Sequence, residues 1–160
     1  MDIIIRKYQS KDYLSLLKLL EKEYGSHIDQ QTLEEKYLTE SRTIIIAEND
    51  SGILVGCTFI ELQKDFIRPK KIGFVTYVAV DFHYRKQGIG RKLMEYVEYF
   101  CRTVQCSAIE LTSANFRSVA HTFYKSLGFT KKETTLFIKE LPKSTMEDCL
   151  SNLSEGSEKK

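Results

Sequence analysis

Apolar positions along the chain change their spacing several times, and each change predicts a new element. Short runs rich in β-branched residues predict strands at residues 3–8, 43–47, 53–62, 73–80, 108–112 and 134–141. Apolar residues that recur every three or four positions predict helices at residues 11–24, 31–39, 90–103 and 118–127. The predicted order is therefore β-α-α-β-β-β-α-β-α-β.

Three local patterns predict how these elements pair. The sequence Asn49-Asp50-Ser51-Gly52 is a strong turn signal, so the strands on either side should form an antiparallel hairpin. The run Gly73–Val80 is almost continuously apolar, which is typical of a central strand. The helix after this strand predicts a parallel crossover to the strand at 108–112. The fold class is therefore α/β, with a mixed sheet flanked by helices.

The length and charge of the chain narrow its class. Its 160 residues suit one domain, which we place at residues 1–141. Residues 142–160 are polar and are expected to form a partly disordered tail. The net charge of +2 gives no reason to expect nucleic-acid binding. No apolar run approaches the ~20 residues that span a bilayer, so we expect no membrane partner.

Cysteine and histidine usage argues against a metal centre. The four cysteines show no CxxC spacing and only three histidines are present, so neither a zinc site nor a disulfide framework is expected. A reducing, cytoplasmic location follows as the default expectation.

The segment Arg85-Lys86-Gln87-Gly88-Ile89-Gly90 links the predicted central strand to a predicted helix. Glycines let the backbone approach an anion, and the free N–H groups of a first helical turn point at it. Arg91 and Lys92 add positive charge, so a phosphate-bearing ligand is predicted here. Two nucleotide motifs are missing, because GxxxxGK[ST] does not occur and Leu93 replaces the third glycine of GxGxxG.

Two blocks of the sequence resemble the GNAT superfamily of acetyl-CoA-dependent N-acetyltransferases. Arg85–Gly90 is similar to the family's Q/R-x-x-G-x-G/A, which follows its fourth strand, and Ala120–Phe129 is similar to its A-x-x-F/L-Y-x-x-x-G-F. The order of elements also matches, over roughly residues 2–141. The resemblance implies a GNAT-type sheet that is mostly antiparallel, and it implies an acyltransferase.

The resemblance also implies acetyl-CoA as the donor. Its pyrophosphate would lie on Arg85–Gly90, which we call the motif segment, and its pantetheine arm would pair with the backbone of the fourth strand. The residues implied in cofactor binding are Val78, Ala79, Val80, Arg85, Lys86, Gln87, Gly88, Ile89, Gly90, Arg91, Asn115 and Tyr124. The family's asparagine lies seven residues before the tyrosine, where this chain has Arg117, whereas Asn115 lies nine residues before it. Asn115 therefore also fits a simple helix cap.

Catalytic roles follow from the same resemblance. Tyr124 is implied as the acid that protonates the thiolate of coenzyme A, and the N–H of Val78 as the donor to the carbonyl oxygen. Tyr124 also lies on the apolar side of its helix, so a purely structural role stays open. Glu61 is the candidate general base and Glu110 a weaker one, although each also fits a solvated position on a strand.

The acceptor is the least specified part of the reaction. Direct transfer to the primary amine of a small molecule is expected, with Tyr24, His27 and Ile28 lining the acceptor pocket by resemblance. Acetylation of a protein N-terminus or lysine stays open, as does a non-catalytic coenzyme A sensor. The family contains homodimers, so a homodimer also stays open.

Overall fold

The computed structural model describes residues 2–67 and 69–141 and divides the chain into two units, residues 1–128 and 129–160. Every helix and strand of the described residues belongs to the first unit. Its strands are β1 (Ile3–Lys7), β2 (Arg42–Asn49), β3 (Leu54–Asp65), β4 (Lys70–Val80) and β5 (Ala108–Leu111). Its helices are α1 (Tyr13–Tyr24), α2 (Ile89–Thr103) and α3 (Ser118–Ser126), with a π-helical segment at Thr32–Tyr37.

The five strands form one sheet in the order β1-β2-β3-β4-β5. The first four strands pair antiparallel, and β4 pairs parallel with β5. The predicted hairpin is confirmed: the Asn49 side chain accepts the N–H groups of Ser51 and Ile53, and Gly52 takes a positive φ of 75°. The predicted mixed sheet with a parallel crossover through α2 is therefore confirmed.

Helices cover the two faces of the sheet. Leu16 and Leu19 of α1 join a buried cluster that includes Cys57 and Phe59 of β3. Gly56, directly before Cys57, belongs to the other face of the sheet, because side chains alternate along a strand. A β-carbon on Gly56 would lie 3.2 Å from Leu93 and 3.3 Å from Ile89 of α2. α1 and α2 therefore pack on opposite faces of the strands that lead to the motif segment.

The start of α1 is fixed by a buried carboxylate. Asp12 accepts two hydrogen bonds from the Arg6 guanidinium, at 2.7 and 2.8 Å, and one from the backbone N–H of Gln9 at 2.8 Å. Arg6 also pairs with Glu48 of β2. At the other end, Gly25 closes α1 in the left-handed conformation with a φ of 62°. This network joins β1, β2 and α1.

Two predictions about secondary structure need correction. The strand predicted over Thr134–Leu141 is wrong, because residues 130–141 form no helix or strand. Extended segments need hydrogen bonds from a neighbouring strand, and the large side chains that suggested burial are exposed: Leu136, Phe137, Ile138 and Leu141. The second predicted helix is present but ends at Tyr37, two residues earlier than expected, and its Thr32–Tyr37 segment is π-helical.

Two further expectations concern the C-terminal tail and the membrane. The polar tail predicted at residues 142–160 lies outside the described residues. Within the part that the structure describes, no helix is both long and apolar enough to cross a bilayer.

Candidate active site

Among the described residues, the C-terminal half of β4 pairs with a strand on one side only. β5 pairs with Ile72–Val75 and then ends, so in the described part of the chain no strand flanks Thr76–Val80 on that side. A register shift at the same point leaves Thr76 out of the β3–β4 ladder, since Val75 pairs with Ile60 and Tyr77 with Phe59. Such a bulge bends and twists a strand, which separates the ends of β4 and β5. We call Thr76–Val80 the open edge.

Hydrogen-bond alternation shows which backbone groups face the open side. The N–H of Asp81 donates to the C=O of Val55 at 2.9 Å, which identifies a hydrogen-bonded pair. Antiparallel neighbours alternate between bonded and non-bonded pairs, so Ala79 directs its backbone groups at β3. Val78 and Val80 direct theirs to the open side. Of the three residues predicted to bind through their backbone, these two therefore have the suitable orientation.

Tyr24 and Arg85 donate side-chain hydrogen bonds to backbone carbonyl groups on the open side. The Tyr24 hydroxyl donates to the C=O of Val78 at 2.9 Å. The Arg85 Nε donates to the C=O of Val80 at 3.0 Å, and the same guanidinium pairs with the largely buried carboxylate of Glu23. The end of α1 and the motif segment thus meet at the open edge.

The motif segment forms a tight backbone turn before α2. Lys86 and Gly88 both have positive φ values, of 62° and 80°, and Gly88 is the N-cap residue. A β-carbon on Gly88 would meet no atom within 4 Å, so the glycine is needed for its backbone conformation. The first helical hydrogen bond runs from Lys92 N–H to Gly88 C=O. The preceding helical N–H groups have no acceptor within the helix and belong to Ile89, Gly90 and Arg91.

The side chains around this turn are exposed except for Ile89, which is buried under α2. Lys86, Arg91 and Lys92 place three positive charges beside the free N–H groups. Gln87 bonds back to the C=O of His83 at 3.2 Å, which supports the turn. Positive side chains, the helix dipole and free donors together favour an anion at this position.

Two contacts hold α3 beside the motif segment. A β-carbon on Gly90 would lie 3.2 Å from Cζ of Phe123, and the Arg91 guanidinium donates to the Ser126 hydroxyl at 3.2 Å. Tyr124 follows Phe123 and is half-buried. Burial raises the pKa of Tyr124, and the positive charge of Arg117 opposes that shift. The Tyr124 phenol is therefore protonated at neutral pH and can donate a proton.

The loop after β5 carries a buried polar group. The Ser113 hydroxyl is buried and has no hydrogen-bond partner among the described residues. It follows the last residue of β5 by two positions, where β4 and β5 separate. Asn115 is exposed, and Arg117 rather than Asn115 is the N-cap residue of α3.

The candidate base lies away from the open edge. Glu61 pairs with Arg42 across the β2–β3 ladder, with Nε and Oε2 3.3 Å apart. It lies three positions further along β3 than Thr58, which is opposite Val78. That separation corresponds to about 10 Å along the strand. The structure therefore does not bring Glu61 into contact with Val78.

The predicted acceptor-lining residues occupy different surroundings. Tyr24 reaches the open edge, whereas His27 is exposed and pairs with Glu21 at 3.0 Å. Ile28 is half-buried, and its C=O accepts a hydrogen bond from Tyr13 at 2.9 Å. Sequence reasoning missed Glu23 and assigned no role to Arg117. Arg117 lies seven residues, or two helical turns, before Tyr124, and this spacing could have indicated that its charge acts on Tyr124.

The model of the Acetyltransferase (GNAT) family matches residues 12–129 of this chain. N-acetyltransferase family 8 member 3 of Mus musculus is 24% identical over 122 residues, which are 75% of this chain and 54% of the mouse protein. The chain thus spans about half the length of that relative. Aminoglycoside N(6')-acetyltransferase type 1 of Acinetobacter baumannii is 22% identical over 141 residues, which are 85% of this chain and 94% of that protein.

A solved acetyltransferase from Trypanosoma brucei superposes with a TM-score of 0.75 at 22% identity, covering 87% of this chain and 100% of that one. This likeness shows a shared fold. The family match spans most of the chain and includes the open edge, the motif segment and α3. The chain therefore belongs to the GNAT family of acetyltransferases.

Proposed function

We propose that this protein is an N-acetyltransferase that moves the acetyl group of acetyl-CoA directly to the primary amine of a small molecule. The observation that carries the proposal is the open edge of β4, which leads into the free N–H groups of α2. A donor that has amides at one end and a pyrophosphate at the other matches this order of backbone groups, first the open edge and then the N–H groups of α2.

The residues present fit such a donor. The N–H groups of Ile89, Gly90 and Arg91 suit the pyrophosphate, with Lys86 and Lys92 beside it. Each charge-assisted hydrogen bond contributes about 1.5–3 kcal/mol.

The pantetheine amides suit the backbone groups of Val78 and Val80, which face the open side. The buried hydroxyl of Ser113, two residues after the end of β5, offers one further donor and acceptor. Gln87 and Asn115 are exposed and stay predicted contacts.

The chemistry follows from the placement of the polar groups. Acetyl-CoA supplies an activated thioester; the amine nitrogen attacks its carbonyl carbon, the C–N bond forms and the C–S bond breaks. The N–H of Val78 would stabilise the negative charge that develops on the carbonyl oxygen. The Tyr124 hydroxyl would give its proton to the leaving thiolate and regain one from solvent. The acceptor loses a proton, and the products are an acetylated amine and the free thiol.

The base that takes the acceptor's proton is proposed separately. Glu61 would act through water, because about 10 Å of strand separates it from the residue opposite Val78. Replacing Glu61 with Gln should then lower kcat at neutral pH. The decrease in kcat should be smaller at higher pH, where more of the acceptor is free amine. A kcat that is unchanged across this range would restrict Glu61 to its pairing with Arg42.

The experiment mixes the protein with acetyl-CoA and a panel of small amines and follows the release of free thiol. Turnover with a small amine supports the proposal. Turnover only with peptides would favour a protein acetyltransferase, and tight coenzyme A binding without turnover would favour a sensor. The small-molecule acceptor gains support from the relative that is named an aminoglycoside acetyltransferase.

Two variants sharpen this experiment. Gly88→Glu should abolish acetyl-CoA binding, since it adds a negative charge at the anion site and a side chain at a φ of 80°. Gly52→Glu is the matched control, because it adds the same side chain at a φ of 75° in the β2–β3 turn. Tyr124→Phe should retain binding and slow transfer by about 10²-fold or more. An unchanged rate would remove Tyr124 as the acid.

A further inference from the structure

We infer that Tyr24 is a positioning residue that holds the Val78 peptide in the geometry required for acetyl transfer. Its hydroxyl donates to the C=O of Val78 at 2.9 Å, although 54 residues separate the two in sequence. The inference rests on the proposed function, in which the N–H of Val78 faces the acetyl oxygen.

The backbone at Val78 has unusually little support from its neighbours. β3 pairs with this part of β4, but β5 ends opposite Val75 and Thr76 is bulged out of the ladder. The C=O of Val78 faces the open side, where an inner strand would normally find the N–H of a neighbour. The Tyr24 hydroxyl supplies the missing donor.

Packing fixes the Tyr24 ring. It meets Tyr77 edge to face with centroids 5.2 Å apart, and Tyr77 meets Phe59 in the same way at 5.6 Å. Tyr24 is the last residue of α1, which Gly25 ends at once. The hydroxyl is therefore set by a helix end and by aromatic neighbours on two strands.

The protonation state of Tyr24 suits a permanent donor. Burial raises its pKa to about 12; Cys57, Glu23 and Tyr124 also raise it, and Arg117 lowers it. A protonated phenol can donate to Val78 at every pH at which the protein would work. A carbonyl oxygen has two lone pairs, so this bond leaves one for a ligand amide.

Both polar groups of Val78 face the same side, because residues of a strand alternate as units. Holding the C=O in place therefore also orients the N–H beside it. An oxyanion donor contributes to the rate only when it is aimed at the developing charge. Loss of the Tyr24 hydroxyl should reduce the rate more than it reduces donor affinity.

The test compares Tyr24→Phe with wild type and with Tyr8→Phe. The first variant keeps the ring and removes the bond to Val78. The control removes a phenol hydrogen bond of similar length, from Tyr8 to Glu34 at 2.7 Å, which does not involve the backbone of β4. Tyr24→Phe should lower kcat by about tenfold or more and change the KM for acetyl-CoA less than about threefold. Tyr8→Phe should alter neither constant, and circular dichroism checks that both variants fold.

A second readout needs no acceptor. The infrared stretch of acetyl-CoA labelled with carbon-13 at the thioester carbonyl reports hydrogen bonding to that oxygen. Binding to wild type should lower its frequency, and binding to Tyr24→Phe should lower it less. An equal shift in both proteins, or an equal kcat, would overturn the inference while the proposed function stands. Failure of wild type to bind acetyl-CoA would instead remove the proposed function and the inference with it.

Discussion

Phe123 of α3 lies against Gly90 in the first turn of α2, where a β-carbon on residue 90 would be 3.2 Å from the ring atom Cζ. The position of α3, and of Tyr124 within it, thus depends on a missing side chain. The glycine that is predicted to let an anion approach therefore also lets a helix approach closely.

Replacing Gly90 with Ala should therefore affect catalysis more than stability. Alanine favours a helix over glycine by about 1 kcal/mol, which offsets part of the steric cost at Phe123. We expect kcat to fall several-fold while the melting temperature changes little. Phe123→Leu shortens the ring and should restore part of the rate in the double variant. Additive losses in the double variant would contradict the proposed contact.

The packing of β4 on α2 can be tested at Gly73. A β-carbon there would collide with Sγ of Cys101, and no other atom comes closer than 3.8 Å. Gly73→Ala should lower the free energy of unfolding by about 1–3 kcal/mol. Cys101→Ala removes the sulfur, so the double variant should recover most of the loss. A thermodynamic cycle from urea unfolding measures this coupling.

Asp12 should make stability depend on pH. Its hydrogen bonds to Arg6 hold the pKa of the carboxyl below its ordinary value of 3.8. A lowered pKa in the folded state adds stability that is fully present above about pH 4 and is lost as the pH falls through the folded value. Asp12→Asn should cost about 2–3 kcal/mol at pH 7.

The difference between Asp12→Asn and wild type should narrow as the pH falls from about 4 to 2, measured by urea unfolding at each pH. Asp50→Asn, at an exposed turn position, is the control and should show no such trend. A constant difference at all pH values would show that the charge of Asp12 is not the source of its contribution.

Glu23 should weaken donor binding by holding Arg85. The carboxylate pairs with the Arg85 guanidinium and adds a negative charge close to the predicted anion site. Glu23→Gln should lower the KM for acetyl-CoA by about two- to fivefold at low ionic strength, with a smaller effect in high salt. Glu98→Gln, which breaks the exposed pair of Glu98 with Arg102, should have no effect on this KM. An increase in KM would mean that Glu23 orients Arg85 for binding.

Much of the fold could be predicted because the signals are local. The turn at Asn49–Gly52, the apolar stripe of α2 and the ends of α1 and α3 at Gly25 and Gly128 all depend on neighbouring residues. The motif segment was predictable for the same reason, since its glycines and basic residues are adjacent in sequence.

The remaining features depend on contacts between distant residues. No local signal showed that Thr76 would leave the ladder, that Tyr24 would bond to Val78 or that Arg42 would pair with Glu61. The strand predicted over Thr134–Leu141 failed for a related reason: β-branched composition favours extended backbone, but pairing requires a neighbour.

The short pairing between β4 and β5 has a consequence for local unfolding. Only four residue pairs join the two strands, and none of the nine residues of α3 is buried. Amide protons of β5 and α3 should therefore exchange with solvent well before those of β2 and β3. A molecule bound along Val78 and Val80 and contacting Tyr124 would bridge the slowly and the rapidly exchanging parts. Protection that appears in α3 only upon donor binding would mean that the donor orders the helix that carries Tyr124, the proposed acid.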